Sequence, residues 1–189
     1  MKKLILFLLV AVMVFTLAAC KPKAPVEDEN DTGNKDPVED NTIVDPSPEG
    51  EIATVKLYFA NREYIMTGND NLDATVAVER EVKVKEKPIE EVILEELRNK
   101  PEDEGLTTLV EKIKVLSVET AENTAYVNLS GENLHGGSLE ESLILQQIVF
   151  SLTELKKIEK VQLLVDGSKR ETLMGHISIE EPLKGPDVK

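Results

Sequence analysis

Residues 138–167, SLEESLILQQIVFSLTELKKIEKVQLLVDG, combine a helical pattern, a short apolar run and a turn signal. Apolar side chains recur every three or four residues as far as Leu155, which predicts a helix with one buried stripe. The stripe consists of Ile144, Leu145, Ile148, Val149, Leu152 and Leu155. The run Val161–Val165 is β-branched and mostly apolar, as in a central strand, and Asp166-Gly167 predicts a two-residue hairpin turn after it.

The pattern extends on both sides of this helix-strand-turn unit. On the N-terminal side, Ser138 and Glu141 have the spacing of a capping box, so the helix is expected to open at Ser138, after the loop Gly136-Gly137. On the C-terminal side, the hairpin turn leads into two further predicted strands, at 169–174 and 177–183.

Two strands and a helix are predicted earlier in the chain. Apolar and polar residues alternate at 55–59 and again at 74–84, where Arg80 breaks the apolar series and predicts an irregularity. Pro88 fits the first position of a helix whose apolar face follows, and this helix is expected to end near 99–101.

A hairpin completes the list of predicted elements. The stretch 113–118 resembles a strand, and residues 122–124 form a turn signal before a second strand at 125–129. Strands joined by so short a turn pair in the antiparallel sense. The element order predicts a single α+β domain, with two main helices packed on one mixed β-sheet.

The N-terminus has the features of a lipoprotein signal peptide. Lys2 and Lys3 precede the apolar run 4–19, which is shorter than the roughly 20 residues that span a bilayer. The tetrapeptide Leu-Ala-Ala-Cys at 17–20 resembles a bacterial lipobox, and Cys20 is the single cysteine of the chain. We therefore predict cleavage between Ala19 and Cys20, lipid attached to Cys20, and anchoring on the extracytoplasmic side of the cell membrane.

Composition divides the remaining chain in two. Residues 21–50 contain five of the nine prolines, with nine acidic and three basic residues, and are expected to form a disordered tether after the lipidated Cys20. Residues 51–189 are long enough for one domain. Their 17 basic and 27 acidic residues give a net charge of about −10, which disfavours binding to nucleic acid.

Isolated reactive residues do not form a recognisable motif. His135 and His176 could be metal ligands only by recruiting Asn133 or Glu140, and that pattern is a weak metal signal. Ser130 and Ser168 lack the spacing of a nucleophile elbow, and the sequence has no Gly-rich phosphate loop. No catalytic residue, cofactor site or metal site is therefore predicted.

Paired glutamates raise the hypothesis of a glycosidase. The pairs are Glu90-Glu91, Glu95-Glu96, Glu140-Glu141 and Glu180-Glu181. Adjacent helical residues point about 100° apart, and the predicted apolar stripes place the helical glutamates in water. Aromatic residues are few, with Tyr64 alone outside a predicted core element, which disfavours a carbohydrate site.

Four stretches carry a resemblance to the GerMN, or Germane, domain of sporulation and spore germination proteins. They are VKLYFAN at 55–61, VLSVETAENTAYVNLSGE at 115–132, LEESLILQQIVFSLTEL at 139–155 and KVQLLVDGSKRETLMGHISIEEPL at 160–183. The Val-Asp-Gly turn and the later Gly-His pair are the most specific features. The loop LRNKPEDEG at 97–105 departs from the family pattern, which more often has glycine and proline there.

The resemblance implies a fold similar to ring-building motifs and a module for assembly with partners in the envelope, without enzymatic activity. Two alternatives remain open at this point. One is a lipoprotein that binds a small solute or a cell-wall fragment, and the other is an enzyme that modifies the wall. A binder is expected to have a deep apolar pocket with converging polar groups, and an enzyme a perturbed carboxylate in a cleft. The sequence does not indicate an oligomeric state.

Overall fold

The computed structural model describes residues 50–188. The predicted signal peptide, Cys20 and residues 21–49 of the predicted tether lie outside the described residues. Within residues 50–188, no helix is long and apolar enough to cross a membrane.

Strands and helices alternate in short groups along the described chain. The strands are β1 (Glu51–Asn61), β2 (Thr75–Val84), β3 (Leu106–Thr107), β4 (Val115–Ala121), β5 (Thr124–Leu129) and β6 (Lys160–Val165). The α-helices are α1 (Arg62–Thr67), α2 (Ile89–Leu97) and α3 (Ser138–Thr153). Two 3-10 helices span Val110–Lys112 and Gly185–Val188.

The strands form two sheets of three strands each. One is antiparallel, in the order β2-β1-β3, and the other is mixed, in the order β4-β5-β6, with β5 and β6 parallel. The α+β class and the two main helices are confirmed, but the predicted single sheet is divided in two. The division follows from the position of α3, since its Ser151 hydroxyl accepts the Tyr58 N–H at 2.9 Å on the edge of β1 that faces away from β2.

The pairing of β1 with β2 is continuous from Glu51↔Val84 to Ala60↔Thr75. The irregularity predicted near Arg80 is therefore absent from this pair. The Arg80 side chain instead leaves the strand towards α2, where it pairs with the Glu96 carboxylate at 2.9 Å. It also lies 5.4 Å from the centre of the Phe59 ring, so a cation–π contact and an ion pair compensate for a charge at an apolar position.

Helix α2 begins one residue later than predicted, with Pro88 as its N-cap. Its buried residues are Glu90, Val92, Ile93, Leu94 and Leu97. The placement of Glu90 in water is thus wrong, and it is wrong for Glu141 of α3 as well, which is fully buried. The Glu90 side chain is buried because Lys157 and Thr120 reach its Oε1, at 2.8 and 2.7 Å.

The predicted hairpin between β4 and β5 is confirmed. Glu122 and Asn123 both have positive φ, 49° and 59°, as a two-residue turn between antiparallel strands requires. The first strand begins at Val115, because the chain at 110–112 forms a 3-10 helix and Ile113 caps it. A register shift between Val115 and Ser117 interrupts the start of the pair.

Helix α3 is buried on nearly all sides and is the centre of the domain. Its buried residues extend well beyond the predicted stripe, because both sheets and the chain after β6 pack around it. Four of them are polar: Glu141, Gln146, Gln147 and Ser151. Like Ser151, Gln147 accepts a backbone N–H from another part of the chain: its Oε1 accepts the N–H of Leu109 at 2.9 Å.

The capping box at the start of α3 is not formed. Gly137 is the N-cap, no side chain caps it, and Ser138 is the first helical residue. The Glu141 carboxylate turns away from the helix N-terminus because the loop 173–176 supplies better donors. This loop belongs to the chain that follows β6.

The turn Asp166-Gly167 forms as predicted, with φ of 49° and 78° and Val165 paired to Ser168. The two strands expected after it do not form. Only isolated bridges occur there among the described residues, Thr172↔Ser178 and Val161↔Leu183. The physical reason is that Glu141 takes the backbone donors at 173–176, which a strand ladder would otherwise use.

Candidate binding groove

An open groove of about 990 Å³ lies between the start of β2, helix α3 and the C-terminal 3-10 helix. Its lining residues come from three separate parts of the chain, within 58–77, 142–150 and 185–186. They are Tyr58, Tyr64, Asp70, Leu72, Asp73, Ala74, Thr75, Val76, Ala77, Ser142, Gln146, Phe150, Gly185 and Pro186.

Aromatic side chains form one part of the groove. The rings of Tyr58 and Phe150 meet edge to face, with centroids 5.2 Å apart at 68°. The Tyr58 hydroxyl donates to the Glu154 carboxylate at 2.6 Å, and Lys56 pairs with the same carboxylate at 3.0 Å. These contacts fix the Tyr58 ring before any ligand arrives.

The Glu154 carboxylate also changes the acidity of Tyr58. Its hydrogen bond, together with burial of the phenol and the nearby negative charge, raises the pKa of Tyr58 to about 12. The same hydrogen bond, assisted by Lys56, overcomes burial and lowers the pKa of Glu154. Tyr58 is therefore a neutral donor at physiological pH, and its raised pKa is explained first by its hydrogen bond to Glu154.

The outer edge of β2 forms another part. On β1, the Asn61 N–H donates to the Ala74 carbonyl at 3.0 Å, on the edge that faces β2, whereas the Tyr58 N–H donates to Ser151 on the opposite edge. Because the backbone groups of a strand alternate between its two edges, the odd-numbered residues of β1 bond to β2 and the even-numbered residues do not. Through the register, the N–H and C=O groups of Thr75 and Ala77 point away from β1. Within residues 50–188 these backbone groups have no hydrogen-bond partner.

The remaining wall comes from α1 and the loop that follows it. The Asn61 side chain caps α1 by accepting the N–H of Glu63 at 3.0 Å, and Gly68 ends the helix in the left-handed region, with φ of 60°. This geometry places Tyr64 on α1, and Asp70 and Asp73 in the following loop, at the groove. Neither aspartate forms a salt bridge with any residue of the described chain.

The groove thus offers an aromatic surface, unpaired strand-edge amides and two unpaired carboxylates. Gln146 and Ser142, linked by a hydrogen bond of 3.1 Å, add side-chain donors and acceptors on the α3 side. Such a set can bind an extended polypeptide, whose backbone would pair with Thr75 and Ala77 and whose cationic side chains would approach Asp70 and Asp73. It contains no nucleophile paired with a base.

Glu141 and His176 are brought together, although they are 35 residues apart. The Glu141 carboxylate is fully buried and accepts the N–H groups of Leu173, Met174 and His176, at 3.0, 2.8 and 2.9 Å. Its Oε2 also lies 3.0 Å from His176 Nδ1. Three backbone N–H groups of the loop bond to this one carboxylate, so the arrangement holds the loop against α3.

The other sequence-predicted candidates remain apart. His135 is exposed and its carbonyl accepts a hydrogen bond from Lys112 at 3.2 Å, while Glu140 pairs with the same lysine. Among residues 50–188, no three His, Cys, Asp or Glu side chains are grouped to hold a metal. Ser130 is buried at the end of β5, and Ser168 closes the turn after β6.

Among the paired glutamates, Glu90 has the most unusual surroundings. Burial of its carboxyl favours the neutral form, but hydrogen bonds from Lys157, from Thr120 and from the helix backbone outweigh burial and lower its pKa. Its Oε2 is buried without a partner. The carboxylate stabilises the contact between α2 and its neighbours and is not aimed into the groove.

Sequence reasoning did not identify the groove. Tyr64 carried a partial signal, since it was the one aromatic residue of the domain outside a predicted core element. The remaining walls depend on the path of the loop 68–74 and on the docking of Gly185-Pro186 against α3, for which the sequence gives no periodic signal.

The family is decided by a comparison with protein-family profiles. The profile of the Germane family, described as "Sporulation and spore germination", matches residues 56–171. The chain belongs to the Germane family. The matched Germane region runs from β1 to the loop after β6 and includes β2, the whole of α3 and the Asp166-Gly167 turn.

Solved structures show the same Germane fold. The first GerMN domain of the sporulation protein GerM from Bacillus subtilis is 20% identical, with TM-score 0.54, and covers 71% of this chain and 99% of its own. The tandem GerMN domains of the same protein are 19% identical, with TM-score 0.55, and this chain matches 46% of their length. A search of curated protein sequences finds no match.

Proposed function

We propose that this Germane protein is a membrane-anchored, extracytoplasmic interaction module, which binds an extended segment of an envelope protein in the groove during sporulation or germination. The groove carries the proposal, because it combines unpaired strand-edge amides with two carboxylates that lack an ion-pair partner among residues 50–188. Family membership supports the sporulation or germination setting.

Anchoring is the second part of the proposal and rests on the sequence. The lipobox at 17–20 and the single cysteine support lipid attachment at Cys20. Two or more acyl chains hold a protein stably at a bilayer, whereas the acidic domain would be repelled by anionic lipid. Residues 21–49 would allow the groove to work at a distance from the membrane.

The groove favours a polypeptide over a small solute or a wall fragment. A small-molecule site usually encloses its ligand in a largely apolar cavity. This groove is open, and one of its walls is a strand edge, the feature by which extended peptides add to a sheet. Hydrogen bonds lower the pKa values of the Glu90 and Glu154 carboxyls, which is opposite to the raised pKa that a general acid of a wall-modifying enzyme would need.

The test compares groove variants in a deletion strain of the organism. Asp70→Lys combined with Asp73→Lys should abolish complementation of the sporulation or germination defect, since two repulsive charges would then face the partner's cations. Glu132→Lys with Glu171→Lys, an equal charge change on exposed residues away from the groove, should complement normally. Normal function of the groove variant at wild-type abundance would refute the groove as the binding site.

Anchoring is tested separately by fractionation. Cys20→Ser should release the protein from membranes while the domain remains folded, because no other residue can accept the lipid. Retention of this variant in the membrane fraction would refute the lipid anchor and leave the groove proposal intact.

A further inference from the structure

Beyond the groove, the edge of β2 carries an ordered series of charges. Glu79, Glu81 and Lys83 alternate along the strand on one face, and Lys85 follows its end. All four are exposed, and none forms a salt bridge with a residue of the described chain. Lys56, which is opposite Glu79 on β1, is paired with Glu154 instead.

The backbone of the same residues is free to pair. By the register that leaves Thr75 and Ala77 unpaired, the N–H and C=O groups of Glu79, Glu81 and Lys83 also point away from β1. No strand of residues 50–188 lies on that side of β2. The edge therefore presents both unmatched amides and unmatched charges.

The order of the charges discriminates between ways in which two copies could pair. In an antiparallel pair related by a two-fold axis, an axis at Glu79 places that glutamate opposite itself. An axis at Glu81 or at Lys83 aligns two pairs of glutamate and lysine, but it also places two like charges opposite each other at its centre. An axis at Arg80 opposes Glu79 to Glu81. An axis at Val82 places each Glu81 opposite Lys83 of the other copy, and each Glu79 opposite Lys85.

We propose that two copies of this protein associate through β2, antiparallel and centred on Val82, to form one continuous sheet across the pair. Residues 81 and 83 of opposite copies exchange backbone hydrogen bonds, and opposite charges directly across the strands stabilise the register. The two Val82 side chains meet at the axis, on the face that packs against the core. This proposal concerns self-association and does not depend on the partner proposed for the groove.

Charged residues on an edge strand ordinarily keep sheets apart, as does an inward-pointing charge such as Arg80. That function needs no particular order of signs. Here glutamates occupy the first half of the series and lysines the second, which makes the edge complementary to its own antiparallel copy. The charges favour the register centred on Val82, which has four opposite-charge pairs and no like-charge pair.

Pairing through this part of β2 leaves the groove available. Strand β2 of the second copy ends at Val84, and the two-fold axis at Val82 places that residue opposite Arg80 of the first copy. Thr75 and Ala77 lie beyond that point and keep their free amides. A pair would thus present two grooves.

The test is sedimentation equilibrium of the mature chain without lipid, residues 21–189, at concentrations up to about 1 mM, so that a dimer with a Kd as weak as about 1 mM is detected. Wild type should dimerise in this range. Glu81→Lys alone and Lys83→Glu alone should each weaken the dimer by about tenfold or more, because like charges then face each other at both pairs. The matched controls Glu132→Lys and Lys114→Glu should dimerise like wild type.

Two rescues make the test specific to the proposed register. An equimolar mixture of Glu81→Lys and Lys83→Glu chains should form heterodimers, since each lysine then faces a glutamate. The double variant E81K/K83E should recover self-association. A wild-type chain that stays monomeric up to about 1 mM would overturn the proposal, as would single variants that dimerise like the controls or a mixture that shows no recovery. Circular dichroism on each variant confirms that the chain is folded.

Discussion

The loop 173–176 and the outer edge of β2 present the same chemical groups, backbone N–H donors outside a complete ladder, and differ in what meets them. In the loop, a buried carboxylate, Glu141, accepts three N–H groups. On β2, the corresponding groups of Thr75 and Ala77 meet no acceptor within residues 50–188. The comparison suggests that α3 satisfies the amides that must be buried, whereas the amides left at the surface are those available to other chains.

The largest effect should come from removing the acceptor at the buried site. Glu141→Leu would leave three N–H groups without a partner, one buried and two partly buried, and we expect a loss of about 3 kcal/mol or more in the free energy of unfolding. Glu141→Gln should cost less, about 1–2 kcal/mol, because one oxygen remains while the new amide faces the His176 N–H. Urea unfolding of residues 21–189 measures both.

The matched control is Glu181→Gln, which changes an exposed glutamate in the same C-terminal region. Its unfolding midpoint should stay close to wild type. If Glu141→Leu also stayed close to wild type, the loop would not depend on the carboxylate and the contrast with β2 would disappear.

A smaller effect should separate the two edges of the first sheet. Ser151→Ala removes the acceptor of the Tyr58 N–H on the covered edge of β1, and about 1 kcal/mol of stability should be lost. Glu81→Gln on the open edge, an exposed side chain, should change stability by less than about 0.5 kcal/mol, as is usual for surface substitutions. Equal losses for the two variants, measured by urea unfolding, would show that the edges do not differ as described.

The smallest effect concerns acidic pH. Both Glu90 and Glu154 have pKa values below the ordinary 4.5, so the unfolded state binds their protons more readily. Their contribution to stability should be present above pH 4.5 and should fall as the pH decreases through the folded-state pKa values. Urea midpoints between about pH 6 and pH 3 should therefore decrease less steeply in Glu90→Gln or Glu154→Gln than in wild type. An unchanged slope in both variants would contradict the lowered pKa values.

The sequence predicted the elements whose formation depends on local patterns. The helix from Ser138, the pair β4–β5 and the turn Asp166-Gly167 were each visible as a periodicity or a turn signal, and all three are present. The sequence did not predict which groups the polar side chains of buried helices would bond to. Glu141 has the spacing of a capping residue, and its actual donors lie more than 30 residues away in a loop without a periodic pattern.

The division into two sheets escaped prediction for a related reason. Alternation identifies a strand but not its neighbour. The edge of β1 away from β2 pairs with a strand only at Ala60 and Asn61, and at Tyr58 a helix residue, Ser151, accepts the backbone N–H instead. The buried position of Glu90 likewise depends on Lys157 and Thr120, which reach it from other parts of the chain. The groove depends on several such distant contacts and was correspondingly the least visible feature.

The origin of the groove walls has a consequence for the timing of folding. Tyr58 and Thr75 come from the beginning of the domain, and Gly185-Pro186 from its last residues, so the groove closes only after contacts of very large sequence separation have formed. A chain that folds from its N-terminal end would already hold the pair β1–β2 while it still lacked the last wall. The proposed partner would then bind in the groove only after the domain has finished folding. An incompletely folded molecule would not bind this partner.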